Sequence, residues 1–466
     1  MPNRAARLFA LVVALSLGYF IVGIPIQLTD CLQNIMTAQA PLSVLISNDP
    51  SAPRLNLLRP LLIGQLHVAL LLAQGHFFAM FKTIHVVQLV ASALLLVHLV
   101  RPDSWPRAIG SALGVAVLFG AHTFTGTIVE AFPINTFLTV VVGALLTASL
   151  VFSEPAAWKD TLVVALMVFC ILTVETGALV LVIAVAGRMT GARGVSRGAI
   201  VALFVVLAAF AVYRVMLGVV APGLGERPSA GFGFGVLDSQ QLQAMFGARP
   251  WLFYAYNVAS QMSTVLFGEP REGVWDFTNR ALHGELLPHH TISVITSTGL
   301  TIAIAAFVVM RFPRWRTWTL EDDDRLVAVF FAVLAANAFI SYPYVKDVIV
   351  SAAGAFFAVA GAVAVAHVLD SLDARRPASA VAIALLLAVL VAGWSVRTVG
   401  AGWNLRRYAA VVRSEWLDLD AWTVRNRVTL TTQNAAVARQ LQQEALDRRV
   451  PPPAFLSPRA ERYLLP

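Results

Sequence analysis

The first residue of the chain that points to chemistry is Asp30, which directly follows a long apolar run, in Gln27-Leu28-Thr29-Asp30. A carboxylate at a membrane surface can take a proton from an attacking hydroxyl group, or hold a divalent cation against a phosphate. The structural alternative is that Asp30 ends one helix and caps the next segment, Cys31–Ala38. Asp30 is therefore a candidate catalytic base and the one candidate metal ligand.

A polar stripe follows in the next apolar run. Lys82, His85, Gln88 and Ser92 occur at i, i+3, i+6 and i+10, which places them on one face of a helix. Polar groups inside a bilayer are costly, so this face should line a bundle interior or a wet cavity. Lys82 and His85 are candidates for binding a lipid-linked phosphate, and the alternative is hydrogen bonding between helices with a snorkelling lysine.

Further titratable groups lie in short segments between apolar runs. A residue in such a segment is solvated by default, but these segments are expected to meet at one membrane surface. They are His122 and Glu130 around the loop 121–131, Glu175 in a break within 160–187, and Lys346-Asp347 at the end of the loop 341–347.

No common cofactor motif accompanies these residues. His289-His290 and the group Glu269, Glu272 and Asp276 lie in a long polar segment without a recognisable zinc spacing. The chain has no Walker loop, no dinucleotide fingerprint and no G-x-S-x-G element around a plausible serine.

The composition of the chain indicates which class of structure must position these residues. The chain has 466 residues, of which 58% are hydrophobic and 13% charged, and its mean hydropathy is +0.74. A soluble protein carries about 25% charged residues. We therefore expect an all-α, polytopic membrane protein and exclude a soluble enzyme, a disordered chain and a nucleic-acid-binding domain. The two cysteines, Cys31 and Cys170, are too few for a disulfide framework.

Apolar runs of about 20 residues predict the membrane spans. The segment 160–187 is broken at Glu175-Thr176-Gly177 and is better interpreted as two short helices, which brings the total to about eleven transmembrane helices. The other predicted spans are 7–27, 78–100, 108–123, 131–153, 198–220, 290–311, 325–342, 347–369 and 378–398.

The net charge of +8 fixes the orientation. If the segment 60–75 lies at the interface as a juxtamembrane helix, every arginine cluster shares the cytoplasmic side with the N-terminus, as the positive-inside rule requires. The outer side then carries 28–77, 121–131, the Glu175 break, 221–289, 341–347 and the tail. The clusters are Arg101/Arg107, Arg188/Arg193/Arg197, Arg311/Arg314/Arg316 and Arg375/Arg376.

The order of these features divides the chain into three parts. Residues 1–190 form a first transmembrane module with the outer loop 28–77. Residues 191–400 form a second module with the large outer loop 221–289, and residues 401–466 form a small extramembrane tail.

The first module resembles the GT-C superfamily of polyprenyl-phosphate-sugar-dependent glycosyltransferases, and is most similar to the protein O-mannosyltransferase-like branches. Four features carry the resemblance over about 40% of the chain. They are Asp30 in the first outer loop, Leu58-Arg59-Pro60-Leu61 before the second span, Phe119-Gly120-Ala121-His122 … Glu130-Ala131, and Thr173-Val174-Glu175-Thr176-Gly177-Ala178-Leu179. The chain departs from the family pattern at Cys31, Thr123 and Val174, which stand where relatives have a second acid or a basic residue, a proline and a lysine.

The resemblance implies an inverting displacement at the outer face of a bacterial inner membrane, in which a sugar passes from a polyprenyl phosphate to an envelope glycan, lipid or protein. It implies catalytic roles for Asp30 and Glu130, and donor-phosphate binding by Arg59, Lys82, His85 and Lys346. His122, Glu175 and Asp347 are expected near the substrate, and a divalent cation (Mg or Mn) is a candidate cofactor.

Two other functions remain open from the sequence. A transporter or flippase of lipid-linked sugars would have repeats with broken helices in matched positions, and no repeat is visible. A non-catalytic membrane scaffold would tolerate loss of the acidic outer loops.

Overall fold

The computed structural model describes residues 1–45, 59–129, 134–220, 239–247, 249–269, 272–342, 345–372, 377–425, 430, 432–448 and 463. In these ranges all regular structure is helical, in agreement with the expected all-α fold. The helices are α1 (Pro2–Gly23), α2 (Thr29–Ala38), α3 (Leu42–Leu45), α4 (Pro60–Ala73), α5 (Phe77–Val100), α6 (Trp105–Gly120), α7 (His122–Val129), α8 (Thr136–Val151), α9 (Ala157–Thr173), α10 (Leu179–Met189), α11 (Arg197–Val220), α12 (Ser239–Phe246), α13 (Pro250–Phe267), α14 (Val274–Leu282), α15 (Pro288–Arg316), α16 (Asp322–Ile340), α17 (Ser351–Asp370), α18 (Pro377–Glu415), α19 (Leu419–Arg425) and α20 (Thr432–Asp447).

Six segments of the described chain are long and apolar enough to cross a bilayer, or seven if α6 and α7 form one bent span. The predicted count of about eleven is therefore not confirmed. Helices α8, α9 and α10 have 16, 17 and 11 residues, and α16 begins with four charged residues. A straight span takes about 20 residues. The six segments are Pro2–Gly23, Phe77–Val100, Arg197–Met216, Pro288–Arg316, Asp347–Asp370 and Pro377–Arg425.

Small residues fill the centre of the bundle. Helix α17 is buried from Ser351 to Ala366 and packs along α6. A Cβ on Gly110 would lie 2.4 Å from the carbonyl oxygen of Ala362, and a Cβ on Gly114 would lie 2.9 Å from the Ala362 side chain. Because only glycine lets the two backbones approach this closely, the α6–α17 contact forms a sealed core.

One end of the bundle, which we call the loop end, consists of the short loops 101–104, 152–156, 190–196 and 317–321. Arg101 donates to the Phe152 carbonyl oxygen at 2.7 Å, and the Trp318 indole N–H donates to the Met189 carbonyl oxygen at 3.2 Å. The arginine-bearing loops therefore share one end, as the charge pattern predicted. Arg375/Arg376 lie outside the described residues, and the side of the membrane that this end faces stays a prediction.

Helix α4 lies within the opposite end and does not cross the bundle. Gln65 donates to the Thr173 hydroxyl at 2.8 Å, the His67 ring contacts the Ala38 carbonyl oxygen at 2.7 Å, and Gln440 donates to the Gly75 carbonyl oxygen. Its 14 residues span about 21 Å, less than the ~30 Å of a bilayer core. The segment expected over 60–75 is therefore a short helix, and its position at a membrane interface stays a prediction.

The C-terminal segment packs on α2 and α4, so we call this end the tail end. Helix α18 continues past the predicted boundary at 398 to Glu415, whose carboxylate accepts from the Leu28 backbone N–H at 3.1 Å. The Trp416 indole N–H donates to the Ile26 carbonyl oxygen at 2.7 Å. Trp416 shares a buried apolar cluster with Cys31, Leu66 and Leu441, which joins the tail to the first outer segment.

The break predicted near Glu175 is present. Helix α9 ends at Thr173, a short 3-10 turn covers Glu175–Ala178, and α10 begins at Leu179. A Cβ on Gly177 would lie 2.2 Å from the backbone of Cys170, so only glycine lets the turn fold back onto α9. The predicted outer loop 221–289 contains α12, α13 and α14 within its described part.

Candidate functional site at the tail end

Asp30 lies in the first turn of α2, directly before the buried Cys31, and its side chain is outside the described residues. The Lys82 ammonium of α5 is close enough to Cys31 for an electrostatic interaction. Asp30 therefore directly precedes Cys31, a residue that lies near the Lys82 ammonium. Glu130, the second predicted catalytic residue, lies outside the described residues.

Lys82 is a buried cation in the second turn of α5, with 4% of its surface exposed. Its ammonium lies 5.4 Å from the centre of the Phe78 ring, and the Arg448 guanidinium also lies over that ring. No described carboxylate lies within ion-pair distance of Lys82. Because a buried charge without a counter-ion is costly, this position suits an anion supplied from outside the described side chains.

His85 lies one turn below Lys82 and is 3% exposed. Its Nε2 lies 3.5 Å from the amide nitrogen of Asn135, whose own orientation is fixed because its oxygen accepts from the Leu138 backbone N–H at 2.9 Å. The neutral ring then carries its proton on Nδ1. Nδ1 is buried and has no partner among the described atoms, so it is a donor available to a ligand.

Arg59, Glu175 and Arg214 form a second charged group. The Glu175 carboxylate lies 3.4 Å from Arg59 at the start of α4 and 3.1 Å from Arg214 in α11. The three residues lie 39 or more positions apart in the sequence, and the break after α9 brings Glu175 between the two arginines. The structure thus brings Arg59 and Glu175 together as an ion pair, and the group as a whole carries one excess positive charge.

Another wall of the tail end is made by α7 and by the 3-10 turn Asp347–Val350, which pack on each other. A Cβ on Gly126 would lie 2.5 Å from the Val348 side chain, which shows how close this packing is. Lys346 precedes the turn and is exposed, and Asp347 is its first residue. The roles of Lys346 and Asp347 in phosphate and substrate binding stay predictions.

His122 begins α7 and is buried, with its Nε2 unpartnered among the described atoms. A hydrogen-bond chain connects this wall to His85. Asn135 donates to the Thr127 carbonyl oxygen at 2.6 Å, Thr127 shares a hydrogen bond with Ser351, and the Ser351 hydroxyl donates to the Thr123 carbonyl oxygen at 3.0 Å. The network that begins at His85 therefore ends at the backbone of Thr123, the residue after His122.

Arg397 in α18 is a residue that sequence reasoning missed. Its guanidinium pairs with the partly buried Glu272 carboxylate and stacks on the Trp394 ring. It also donates to the Gly120 carbonyl oxygen at 3.0 Å and to the Ser297 hydroxyl at 2.9 Å. It therefore ties α6, α15 and the α13–α14 segment to α18. The sequence contained one signal for this residue. Arg397 is the one charged residue between 377 and 405, and a charged residue inside a membrane segment is rare.

Comparison of the chain with protein-family models, with curated protein sequences and with solved structures finds no match. The geometry of the tail end is therefore the basis for a statement about function. Its features are a buried lysine without a described counter-ion, two histidine nitrogens without described partners, and a helix that carries Asp30.

The described side chains contain no group of three or more His, Cys, Asp or Glu that could hold a metal ion. The side chains of Asp30 and Glu130 are outside that set. The predicted metal role of Asp30 consequently stays a prediction, without a second described carboxylate to support it.

Proposed function

We propose that this chain is an integral membrane glycosyltransferase that moves a sugar from a polyprenyl-phosphate donor to an acceptor of the bacterial cell envelope. The observation that carries the proposal is the pair Lys82 and His85, buried one turn apart on α5, with Lys82 close to Cys31, the residue that follows Asp30. Together they offer a positive charge and an N–H donor to one anion, and we propose that the Asp30 carboxylate acts beside them as the base.

The reaction we propose is a single displacement with inversion. Asp30 takes the proton of an acceptor hydroxyl group, and the hydroxyl oxygen forms a bond to the anomeric carbon of the donor sugar. The bond between that carbon and the phosphate oxygen breaks, and its electron pair stays on the phosphate. Negative charge grows on the phosphate as this bond breaks, and Lys82 and the His85 N–H stabilise it there.

The other predicted residues are assigned by position. Arg59, half exposed and paired with Glu175, is proposed at the entrance for the donor phosphate. Lys346 is a second proposed phosphate ligand, and His122, Asp347 and Glu130 are proposed to contact the sugar or the acceptor. A divalent cation held at Asp30 would add charge stabilisation, but no step of the proposed reaction requires it.

The distribution of polar groups supports an enzyme over a transporter. Transporters bind substrate near the bilayer midplane, between repeats whose helices are broken there. In this chain the interior of the bundle between α6 and α17 is closed by their tight contact, and the unpartnered nitrogens of His85 and His122 lie toward the tail end. A one-sided site fits a donor whose prenyl chain stays in the bilayer while its sugar projects from one surface.

The test is complementation of cells that lack the gene, with mass spectrometry of their envelope glycans, because this readout does not require the sugar to be known beforehand. We expect the wild-type gene to restore a missing sugar and Asp30→Asn to restore none of it, while the variant protein remains in the membrane. The matched control is Asp103→Asn, an exposed aspartate at the loop end, which should restore the sugar fully. Full restoration by Asp30→Asn would contradict the assignment of the base.

A further inference from the structure

A groove runs along the lipid-facing surface between α1 and α18, apart from the site described above. Its volume is about 280 Å³. Gly402 forms the floor, because a Cβ there would lie 3.1 Å from the Phe20 ring. The side chains that form its walls are aliphatic or aromatic, except for Ser16 of α1 and for Thr398 and Arg406 of α18. The groove is lined by Val12, Val13, Ser16, Leu17 and Phe20 of α1 and by Thr398, Val399, Gly402, Trp403 and Arg406 of α18.

Polar groups are concentrated at the end of the groove that lies nearest the tail end. The Arg406 guanidinium lies over the Phe20 ring, 5.1 Å from its centre, and supplies a positive charge. One turn deeper, Trp403 is 6% exposed and its indole Nε1 is buried without a partner among the described atoms. An indole N–H is a donor only, and a buried donor is normally satisfied.

The order of these groups along the membrane normal, with the apolar part deeper than the polar groups, matches that of a phospholipid. Both helices run toward the tail end, so the apolar part from Val12 to Leu17 lies deeper in the bilayer than Trp403 and Arg406. Basic residues between transmembrane helices bind lipid head groups, and aromatic residues with an N–H lie at the same depth.

We propose that this groove is a binding site for an anionic glycerophospholipid. One hydrocarbon chain lies between α1 and α18, the phosphate contacts Arg406, and the Trp403 N–H donates to a phosphate or ester oxygen. The groove extends about 12 Å along the helices, from 398 to 406, so it holds part of one chain and leaves the second chain in the bilayer.

This lipid is distinct from the sugar donor. Helix α1 separates the groove from Lys82, because Gly18 of α1 packs against Val86 of α5 on its other face. The groove lies directly below the point where Glu415 and Trp416 of the C-terminal segment contact Leu28 and Ile26. A lipid bound here holds α18 against α1 and so supports the position of the tail over α2.

The test is lipid binding by the purified full-length protein, measured by native mass spectrometry in detergent with added phosphatidylglycerol or phosphatidylcholine. We expect the wild type to retain one phosphatidylglycerol in preference to phosphatidylcholine. Arg406→Gln should weaken phosphatidylglycerol binding by about tenfold or more, since a charge-assisted contact is lost. Ser16→Phe, which fills the groove without removing a charge, should weaken binding of either lipid at this site.

Two controls separate a specific site from general effects. Arg407→Gln removes the neighbouring exposed arginine, and Leu15→Phe adds the same ring beside the groove on the lipid-facing surface. Both should bind phosphatidylglycerol as the wild type does. Equal retention by all four variants would mean annular lipid only and would overturn the proposal. Displacement of the bound lipid by equimolar undecaprenyl phosphate would also overturn it, because the groove would then belong to the donor.

Discussion

The two ends of the bundle treat their charged residues differently. At the loop end, carboxylates of α16 meet arginines from three other segments. Asp322 pairs with Arg101 at 2.7 Å, Asp323 pairs with Arg107 at 2.8 Å, and the fully buried Asp324 accepts from Arg311 at 2.7 Å. Asp324 also accepts from the Trp315 indole N–H and from the Glu321 backbone N–H. The buried Asp324 carboxylate is therefore fully satisfied, although Arg325 Nε at the same end is buried without a partner among the described atoms.

At the tail end, several buried polar groups lack such partners among the described atoms. Lys82 has no described carboxylate beside it, and His85 Nδ1, His122 Nε2 and Trp403 Nε1 have no described hydrogen-bond partner. Native proteins satisfy nearly all buried polar groups, so an unsatisfied group requires an explanation. A satisfied network stabilises the fold, whereas an unsatisfied one at a membrane surface indicates a place for ligands.

The largest effect on stability is expected from Asp324→Ala at the loop end. Its removal leaves the Trp315 N–H without its acceptor and leaves Arg311 with Glu321 as its remaining carboxylate partner, which should lower the free energy of unfolding by about 2–3 kcal/mol. The measurement is equilibrium unfolding in mixed detergent micelles. Asp370→Ala, an exposed aspartate at the same end, should change stability by no more than about 0.5 kcal/mol. If the Asp324→Ala protein were as stable as the control, the ion pairs of the loop end would not stabilise the fold.

The second-largest effect is expected from Lys82→Met at the tail end, as a loss of sugar-transfer activity. This substitution keeps the length of the side chain and removes a buried charge without a described counter-ion, so the free energy of unfolding should stay the same or rise. Sugar transfer in isolated membranes should fall by about 10²–10³-fold if Lys82 stabilises the leaving phosphate. Lys159→Met, at the loop end, should leave transfer unchanged. A large loss of stability in Lys82→Met would show that Lys82 stabilises the fold, as the charges of the loop end do, and would contradict the difference between the two ends.

Much of the fold could be predicted from local signals. The arginine clusters predicted which loops share an end, the polar stripe predicted the inward face of α5, and Glu175-Thr176-Gly177 predicted the break before α10. In the structure Lys82, His85 and Ser92 are buried, and Gln88 donates to Thr139 of α8. These features could be found because each depends on the spacing of residues within a single segment.

Contacts between distant segments could not be predicted in this way. The Arg397–Glu272 pair joins residues 125 positions apart, and the Trp416 contact with Ile26 joins residues 390 positions apart. Neither pair has a local pattern, since each residue obtains its partner only when the helices assemble. The predicted number of spans is not confirmed for a related reason, because short apolar helices such as α8 and α10 look like complete spans in sequence.

The smallest effect is a pH dependence of stability that arises at the tail end from Glu269. Glu269, between α13 and α14, accepts from the Trp275 backbone N–H at 3.0 Å and lies near His122 and Asp276. Partial burial raises the pKa of this carboxyl above its ordinary value of 4.5, against the opposing effects of backbone hydrogen bonds from Trp275 and Val274.

The folded chain therefore holds this proton more tightly than the unfolded chain does. The associated stability is fully present below pH 4.5 and is lost as the pH rises from there through the raised pKa of Glu269. Glu269→Gln keeps an acceptor for the Trp275 N–H but does not titrate, so its unfolding profile from about pH 4 to 7 should lack this decline. Glu154→Gln makes the same change on an exposed residue at the loop end and should keep the wild-type profile. A decline that persists unchanged in Glu269→Gln would assign the titration to another group, such as Asp323 at the loop end, whose pKa is also raised by burial.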